Sequence, residues 1–306
     1  MMPKVEVRII SDDDEVGRRL DNYLLTYLKK VPRELIYRII RKGEVRVNRR
    51  RIKQGYRLQL GDAVRIPPIR TREQTPIKLK DDLRELIESS IIFEDDYLIC
   101  FNKPAGLAVH GGSSLNFGLI EAVRECRENS KYELAHRIDR DTSGCLIVCK
   151  NRESLRWVQE VFKDRQVSKV YEFFSVGQWD NRHKSVHKKL MRYKTPWGER
   201  RVKVDALGKS ARTDFRIIKK AAHATRMEAV LHTGRTHQIR VHSKSCGNPI
   251  VGDRKYGSKE GGCPRLCLHA TRLSFVMNDL KYKFEAPLGE DLEAIWRQID
   301  LGAQLE

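Results

Sequence analysis

Apolar positions change period along this chain. Leu20, Leu24 and Leu28 recur every four residues behind the acidic run Asp12 to Glu15, which predicts a first helix near 15–29. Pro32 suits the first turn of a second helix that carries Leu35, Ile36, Ile39 and Ile40 on one face, and Gly43 suits its end. The period then shortens to two. Val45-Arg46-Val47-Asn48 alternates as a strand does, and Gly61-Asp62 reads as a turn before Val64 and Ile66. After Pro67-Pro68 the apolar positions thin out over Ile69 to Lys80, as in a linker. Apolar runs beyond it predict strands at 91–93, 97–101, 145–150, 169–176, 212–219, 225–232 and 267–276, with helices near 152–164 and 236–246. Strands dominate with few regular strand-helix-strand alternations, so the expected class is α+β with a mixed, mainly antiparallel sheet.

Charge turns this outline towards a partner. Sixty Lys and Arg stand against 41 Asp and Glu, a formal net charge of +19 and a pI near 9.7, which favours a polyanion. The excess is concentrated: residues 29–57 hold twelve basic side chains against Glu34 and Glu44. With acids nearly absent, Arg33, Arg38, Arg41, Lys42, Arg46, Arg49, Arg50 and Arg51 are candidate phosphate contacts. A helix-turn-helix reader of duplex DNA fits the two helices taken alone. At 306 residues there is room for a large core and one small accessory domain. No apolar run is long enough to cross a bilayer, and the N-terminus lacks the pattern of a secretory leader, so the chain reads as soluble and cytoplasmic. Seven cysteines in scattered apolar contexts fit a reducing compartment. Two sets of candidate metal ligands are set aside. Cys246, Cys263, Cys267 and His269 lack a standard zinc spacing, and His232, His237 and His242 at five-residue intervals do not share a helix face.

The densest chemistry lies in His136-Arg137-Ile138-Asp139-Arg140-Asp141-Thr142-Ser143-Gly144, a polar loop feeding the apolar run Cys145 to Lys150. Flanking guanidiniums can keep a carboxylate ionised, and an ionised Asp can act as nucleophile or base. Composition alone leaves the loop open between a reacting centre and a turn closed by a solvated salt bridge. HRIDRDTSG resembles the central motif of the pseudouridine synthases, in the branch that includes ribosomal large-subunit enzymes, where it usually reads HRLDRxTSG. Ile138 for Leu is a volume-conserving departure. Three further segments resemble that family in its order: Asn102 to Gly106 with Val109 to Gly112, Ser168 to Tyr171, and Gly234 to His242, which leads into Gly252-Asp253 and Tyr256-Gly257. In the N-terminal third, Arg19 to Leu24 and Lys42 to Asn48 resemble the two signatures of an S-four-type RNA-binding domain, with Arg49-Arg50 where Gly-Lys is common.

The resemblance implies an S-four-type domain at 1–68, a linker at 69–88 and a pseudouridine synthase domain at 89–306, with a long curved sheet and a central catalytic cleft. It implies an isomerase that converts uridines of large-subunit ribosomal RNA to pseudouridine, with no cofactor, no metal and no membrane, and nothing that demands more than a monomer. Asp139 takes the position of the essential aspartate. Arg240 would pair with it, Arg137 would fill the space of a flipped base or hold the backbone, Tyr171 would stack on the base, and Ile239 would supply an apolar wall. His136 would brace the loop. Whether Asp139 attacks the anomeric carbon, attacks carbon 6 or removes a sugar proton stays open. So do a tRNA substrate and a noncatalytic ribosome-associated role, although loss of Asp139 or Arg240 would mark the latter and both are present.

Overall fold

The computed structural model describes residues 5–12, 15–28, 31–69, 81–111, 117–257 and 262–303, and it divides into a unit up to Lys78 and a unit from Leu79. Lys29, Lys30 and most of the expected linker lie outside the described residues.

The first unit is a three-stranded antiparallel sheet with two helices. Its elements are β1 (Glu6–Ile9), α1 (Leu20–Tyr27), α2 (Arg33–Lys42), β2 (Arg46–Val47) and β3 (Ala63–Ile66), with β3 between β1 and β2. Helix α1 is shorter than the leucine spacing predicts. Gly17 adopts a left-handed φ of 76°, and the amide of Leu20 goes to the Tyr56 carbonyl, so the segment before Leu20 forms turns. Pro32 caps α2 from one residue outside it, and left-handed Gly43 ends it. Leu20, Leu24, Ile36, Ile39, Ile40, Val47 and Val64 form one buried cluster. Asp21 is buried beneath Arg19, which donates to it at 3.1 and 2.8 Å. That pairing holds its carboxyl below the usual range.

The second unit is built on an eleven-stranded sheet. Before it comes α3 (Asp81–Ser89), which corrects the linker boundary: residues 81–88, expected as linker, are helical, and Ile87 is buried in a cluster with Phe101, Leu119 and Leu146. Then follow β4 (Ile91–Glu94), β5 (Leu98–Lys103), α4 (Leu119–Cys126), β6 (Glu133–Leu134), β7 (Ser143–Cys149), α5 (Arg152–Lys163) and β8 (Ser168–Val176). The remainder is β9 (Ser185–Lys194), β10 (Arg200–Val204), β11 (Lys209–Lys220), β12 (Ala224–Leu231), α6 (Gln238–Ser245), β13 (Leu268–Met277), β14 (Leu280–Glu285) and α7 (Glu290–Asp300). The order is β10-β9-β11-β12-β8-β13-β7-β5-β4, with β14 on β13 and β6 on β7.

Among the described pairings only β7 with β13 is parallel, so the sheet is mixed and mainly antiparallel. Every residue of β7 is buried, because helices and loops cover both of its faces; this is why it reads as a continuous apolar run instead of an alternation. At the parallel junction Gly144 has φ 107°, and a Cβ there would fall 2.3 Å from the Ala270 carbonyl oxygen. Only glycine lets the two strands meet where the polar loop enters the sheet.

Candidate active site

Two anchors set the loop between β6 and β7. At its start the His136 Nε2 accepts the Ile147 amide at 3.1 Å, while the ring stacks on Phe162 of α5 with centroids 5.0 Å apart. Burial drives the His136 pKa down to about 3, so the ring is a neutral brace. At its far side the buried Lys103, last residue of β5, donates to the carbonyls of Pro104, Leu107 and Arg140 at 2.7, 2.9 and 2.9 Å. The Arg140 carbonyl also accepts the Gly106 amide at 2.9 Å. Ile138 is buried between these anchors, and its neighbours Arg137 and Asp139 turn outwards. Just beyond, the Ser143 hydroxyl accepts from Arg265 at 2.7 Å and lies 2.8 Å from His269 Nδ1.

The opposite wall is α6 and the segment before it. Buried Gln238 accepts from Thr233 and the Arg235 amide, and donates to the Arg212 carbonyl and Thr213, which fixes the helix start against β11. Arg240, in the first turn of α6, donates Nε and Nη2 to the two oxygens of Asp253 at 2.8 and 2.7 Å. Its remaining Nη1 stands 3.5 Å from Asp139 Oδ2. The expected pairing with Asp139 is therefore the looser of two, and the bidentate partner is Asp253. Burial works against the Arg240 charge, but Asp253 and then Asp139 overcome it and hold its pKa above the ordinary arginine value.

Asp139 keeps a quarter of its side chain exposed. Its Oδ2 faces Arg240 and, at 3.7 Å, His237 Nε2, and its Oδ1 has no hydrogen-bond donor among the described residues. A cleft of about 310 Å³ brings together all five residues expected at the centre: Arg137, Asp139, Tyr171, Ile239 and Arg240. Leu231, Ile239 and Leu268 give it an apolar wall, and Lys169 and Arg192 line it as well. Tyr171 enters from β8; burial and then the nearby Asp139 push its phenol pKa up, so it is a neutral ring. On the other side of Asp139 a wider hollow of about 770 Å³ is lined by Arg137, Arg140, Arg254, Lys255 and Arg265.

Sequence reasoning missed His237, Lys103 and the basic residues of this second hollow. Arg254-Lys255 directly after Gly252-Asp253 was the available signal. In the first unit, the eight expected phosphate contacts lie on α2, at the start of β2 and on the turn after β2, and all of them are exposed. Arg51 donates to the Lys42 carbonyl at 2.5 Å, which draws that turn against the end of α2. Asn48 and Arg49 have φ of 49° and 67°, and Val47 and Arg50 exchange backbone hydrogen bonds, so Arg49 fills a left-handed turn position where glycine sits without strain. Among the described residues no group of three or more His, Cys, Asp or Glu is placed to hold a metal, and no helix is long and apolar enough to cross a membrane.

Residues 97–245 match the RNA pseudouridylate synthase family, and residues 18–64 match the S4 domain. The chain is 46% identical over 299 residues to ribosomal large subunit pseudouridine synthase C of Haemophilus influenzae, covering 94% of this chain and 93% of that protein. This chain belongs to the RNA pseudouridylate synthases. The enzyme of the same name from Escherichia coli K12 is 43% identical over 305 residues, covering 95% of each chain. Solved structures of human RNA pseudouridylate synthase domain containing 1 and 4 share the fold, with TM-scores of 0.57 and 0.58 at 21% and 22% identity; each match covers 71% of this chain and 96% or 95% of the human one. The pseudouridine synthase is thus an isomerase with an S4 domain before its catalytic unit, and the fold class expected from sequence is the one found.

Buried neutral histidines give this synthase a predicted acid sensitivity. Burial takes His136 to about 3 and His242 to about 4, against about 6.5 for a free imidazole. Between those values the unfolded chain binds protons that the native chain does not, so stability is complete above about pH 6.5 and falls as the pH drops towards 4. Urea unfolding of the catalytic unit is expected to show a loss on the order of 4 kcal/mol, about 2 for each ring, between pH 7.5 and pH 5. An unchanged midpoint would mean that these rings are already open to solvent.

Proposed function

We propose that this synthase isomerises specific uridines of large-subunit ribosomal RNA, with Asp139 as its essential group. The observation that carries this is the Asp139 carboxylate, held in a partly apolar cleft with one oxygen faced by Arg240 and His237 and the other free for a substrate. The substrate class rests on the relatives named as ribosomal large subunit pseudouridine synthase C.

The reaction breaks the bond from ribose carbon 1 to uracil nitrogen 1 and forms one to carbon 5, which gives up its proton while nitrogen 1 gains one. No atoms are added and no electrons are lost, so the chain's own groups suffice and no cofactor or metal enters the scheme. A uridine in folded RNA must first be flipped out, at a cost of a few kcal/mol. Arg137, at the rim of the cleft, fills the vacated stack or holds the backbone. Asp139 attacks the anomeric carbon or carbon 6, or takes a sugar proton. Arg240 keeps it charged and aimed. Tyr171 stacks on the detached base and relays the proton from carbon 5, and the Ile239 wall keeps the uracil from diffusing out as it turns.

The first unit supplies RNA affinity through Arg33, Arg38, Arg41, Lys42, Arg46, Arg49, Arg50 and Arg51. The enzyme acts in the cytoplasm as a monomer. Changing Arg38, Arg49 and Arg50 to Gln together is expected to weaken RNA binding and to flatten its log–log salt dependence by about 0.7 to 0.9 for each phosphate no longer neutralised. A native salt slope would remove the phosphate role from these positions.

The functional test is site-resolved pseudouridine mapping on large-subunit rRNA, as free RNA and in assembly intermediates, with tRNA alongside. New sites confined to the large-subunit RNA support the proposal. Sites confined to tRNA would keep the chemistry and replace the substrate. Tight binding with no new site in any RNA would leave a noncatalytic RNA-binding factor.

A further inference from the structure

His237 stands directly before α6 in a left-handed backbone conformation, φ 53° and ψ 27°, which non-glycine residues rarely adopt and which clusters at functional positions. The ring does not cap its helix. Its Nδ1 lies 2.6 Å from the Tyr256 hydroxyl, and that hydroxyl oxygen accepts the Val202 amide of β10 at 2.9 Å. With an amide proton already directed at its oxygen, the tyrosine turns its own proton to His237 Nδ1. A neutral imidazole that accepts at Nδ1 carries its proton on Nε2. Nε2 is the atom that faces Asp139 Oδ2. The opposite tautomer would set a nitrogen lone pair against the carboxylate.

The geometry points to His237 as a positioning residue for Asp139. The chain from the Val202 amide through the Tyr256 hydroxyl presents an Nε2–H donor to Oδ2, and together with Arg240 it turns Oδ1 towards the reacting uridine. At 3.7 and 3.5 Å the two donors are poised but not closed, as catalytic contacts often are before substrate arrives. Arg240 supplies charge, and His237 supplies a second direction that fixes the rotation of the carboxylate. One guanidinium nitrogen cannot do this alone while its other two are bound to Asp253. This inference rests on the role proposed above for Asp139.

The two nitrogens of the ring can be tested separately. In His237→Gln the side-chain amide reaches the place of Nε2 and keeps a donor for Asp139. In His237→Asn it reaches only the place of Nδ1, and asparagine tolerates the left-handed backbone. Tyr256→Phe removes the proton that sets the tautomer. Single-turnover rates and RNA affinity would be measured from about pH 3.5 to 8 for the native enzyme and these three variants, a range that brackets the reference carboxylate and imidazole values. Asp139→Asn runs in the same series, with thermal midpoints for all.

The expected result is a fall in rate of at least about tenfold for His237→Asn with RNA affinity unchanged, partial recovery in His237→Gln, and an intermediate loss in Tyr256→Phe. The acid limb of the rate should also move to higher pH in His237→Asn, because a donor to the carboxylate is gone. The groups facing the ring are Asp139, Arg240, Lys255, Asp253 and Tyr256. Equal losses in Asn and Gln that follow the thermal midpoints, with the acid limb unmoved, would reduce His237 to a structural residue and overturn the inference. A native rate in His237→Asn would overturn it as well. If Asp139→Asn is itself active, the assignment of Asp139 fails first and that of His237 falls with it.

Discussion

Asp139→Asn is expected to lower pseudouridine formation by at least about a thousandfold while leaving the fold and RNA binding intact. The substitution keeps the shape of the side chain and removes its charge and its nucleophilic oxygen. Little of the structure depends on that charge. The side chain is partly exposed, has no cation closer than the 3.5 Å approach of Arg240, and leaves Arg240 still neutralised by Asp253. Loss of rate should therefore appear without loss of stability. Single-turnover assays on a large-subunit RNA fragment, paired with a binding titration and a thermal midpoint, check all three. Retained activity would move the essential role elsewhere in the cleft.

Arg240→Met and Asp253→Asn should each destabilise the catalytic unit by about 3–5 kcal/mol, because each leaves a buried partner without its ion pair. Asp253 has a fully buried side chain, and its Oδ1 also accepts the Lys255 and Tyr256 amides at 3.0 Å each, so its carboxylate is fully engaged. The two changes combined should cost less than their sum, since neither charge is then stranded. Activity should not recover with stability, because the double variant still lacks the cation beside Asp139. Denaturant midpoints for the four-member cycle, each with a rate, separate the two roles of this arginine. A double variant that regained rate as well as stability would make the pair a structural clamp alone.

Much of the centre was legible because its residues are close in sequence or lie in recognisable segments. The loop from His136 to Gly144, Tyr171 and the segment 234–242 are each contiguous, and they fold into one cleft. Outside it, legibility followed burial. Strand β7 reads clearly because all of it is buried, whereas β9 and β10 have Val186, Leu190 and Val202 as their buried residues among Lys and Arg, so their alternation is masked by exposed charge. Helix α7 was legible and passed over: Leu292, Ile295, Trp296 and Ile299 hold the helical spacing and are buried. Other features have no local signal. The bidentate bond of Arg240 to Asp253, the left-handed backbone at His237, and the three carbonyls around Lys103 all depend on where separate segments meet. The sequence shows that such residues are present without showing what they touch.

The junction at Gly144 also sets an order of events as the chain is made. The loop that carries Asp139 enters the sheet against a strand whose first residue, Leu268, emerges 129 positions after Asp139, and that strand must lie parallel to β7. Such pairing across long sequence separations is slow to form, and it cannot begin until the second partner exists. The arginine-rich first unit, whose pairings are all complete by residue 66, is synthesised long before. A nascent chain of this enzyme therefore passes through a stage in which its basic unit is complete and its aspartate has no sheet to stand on. Stalled chains that end before β13 should carry an unformed catalytic centre, whatever RNA they already hold.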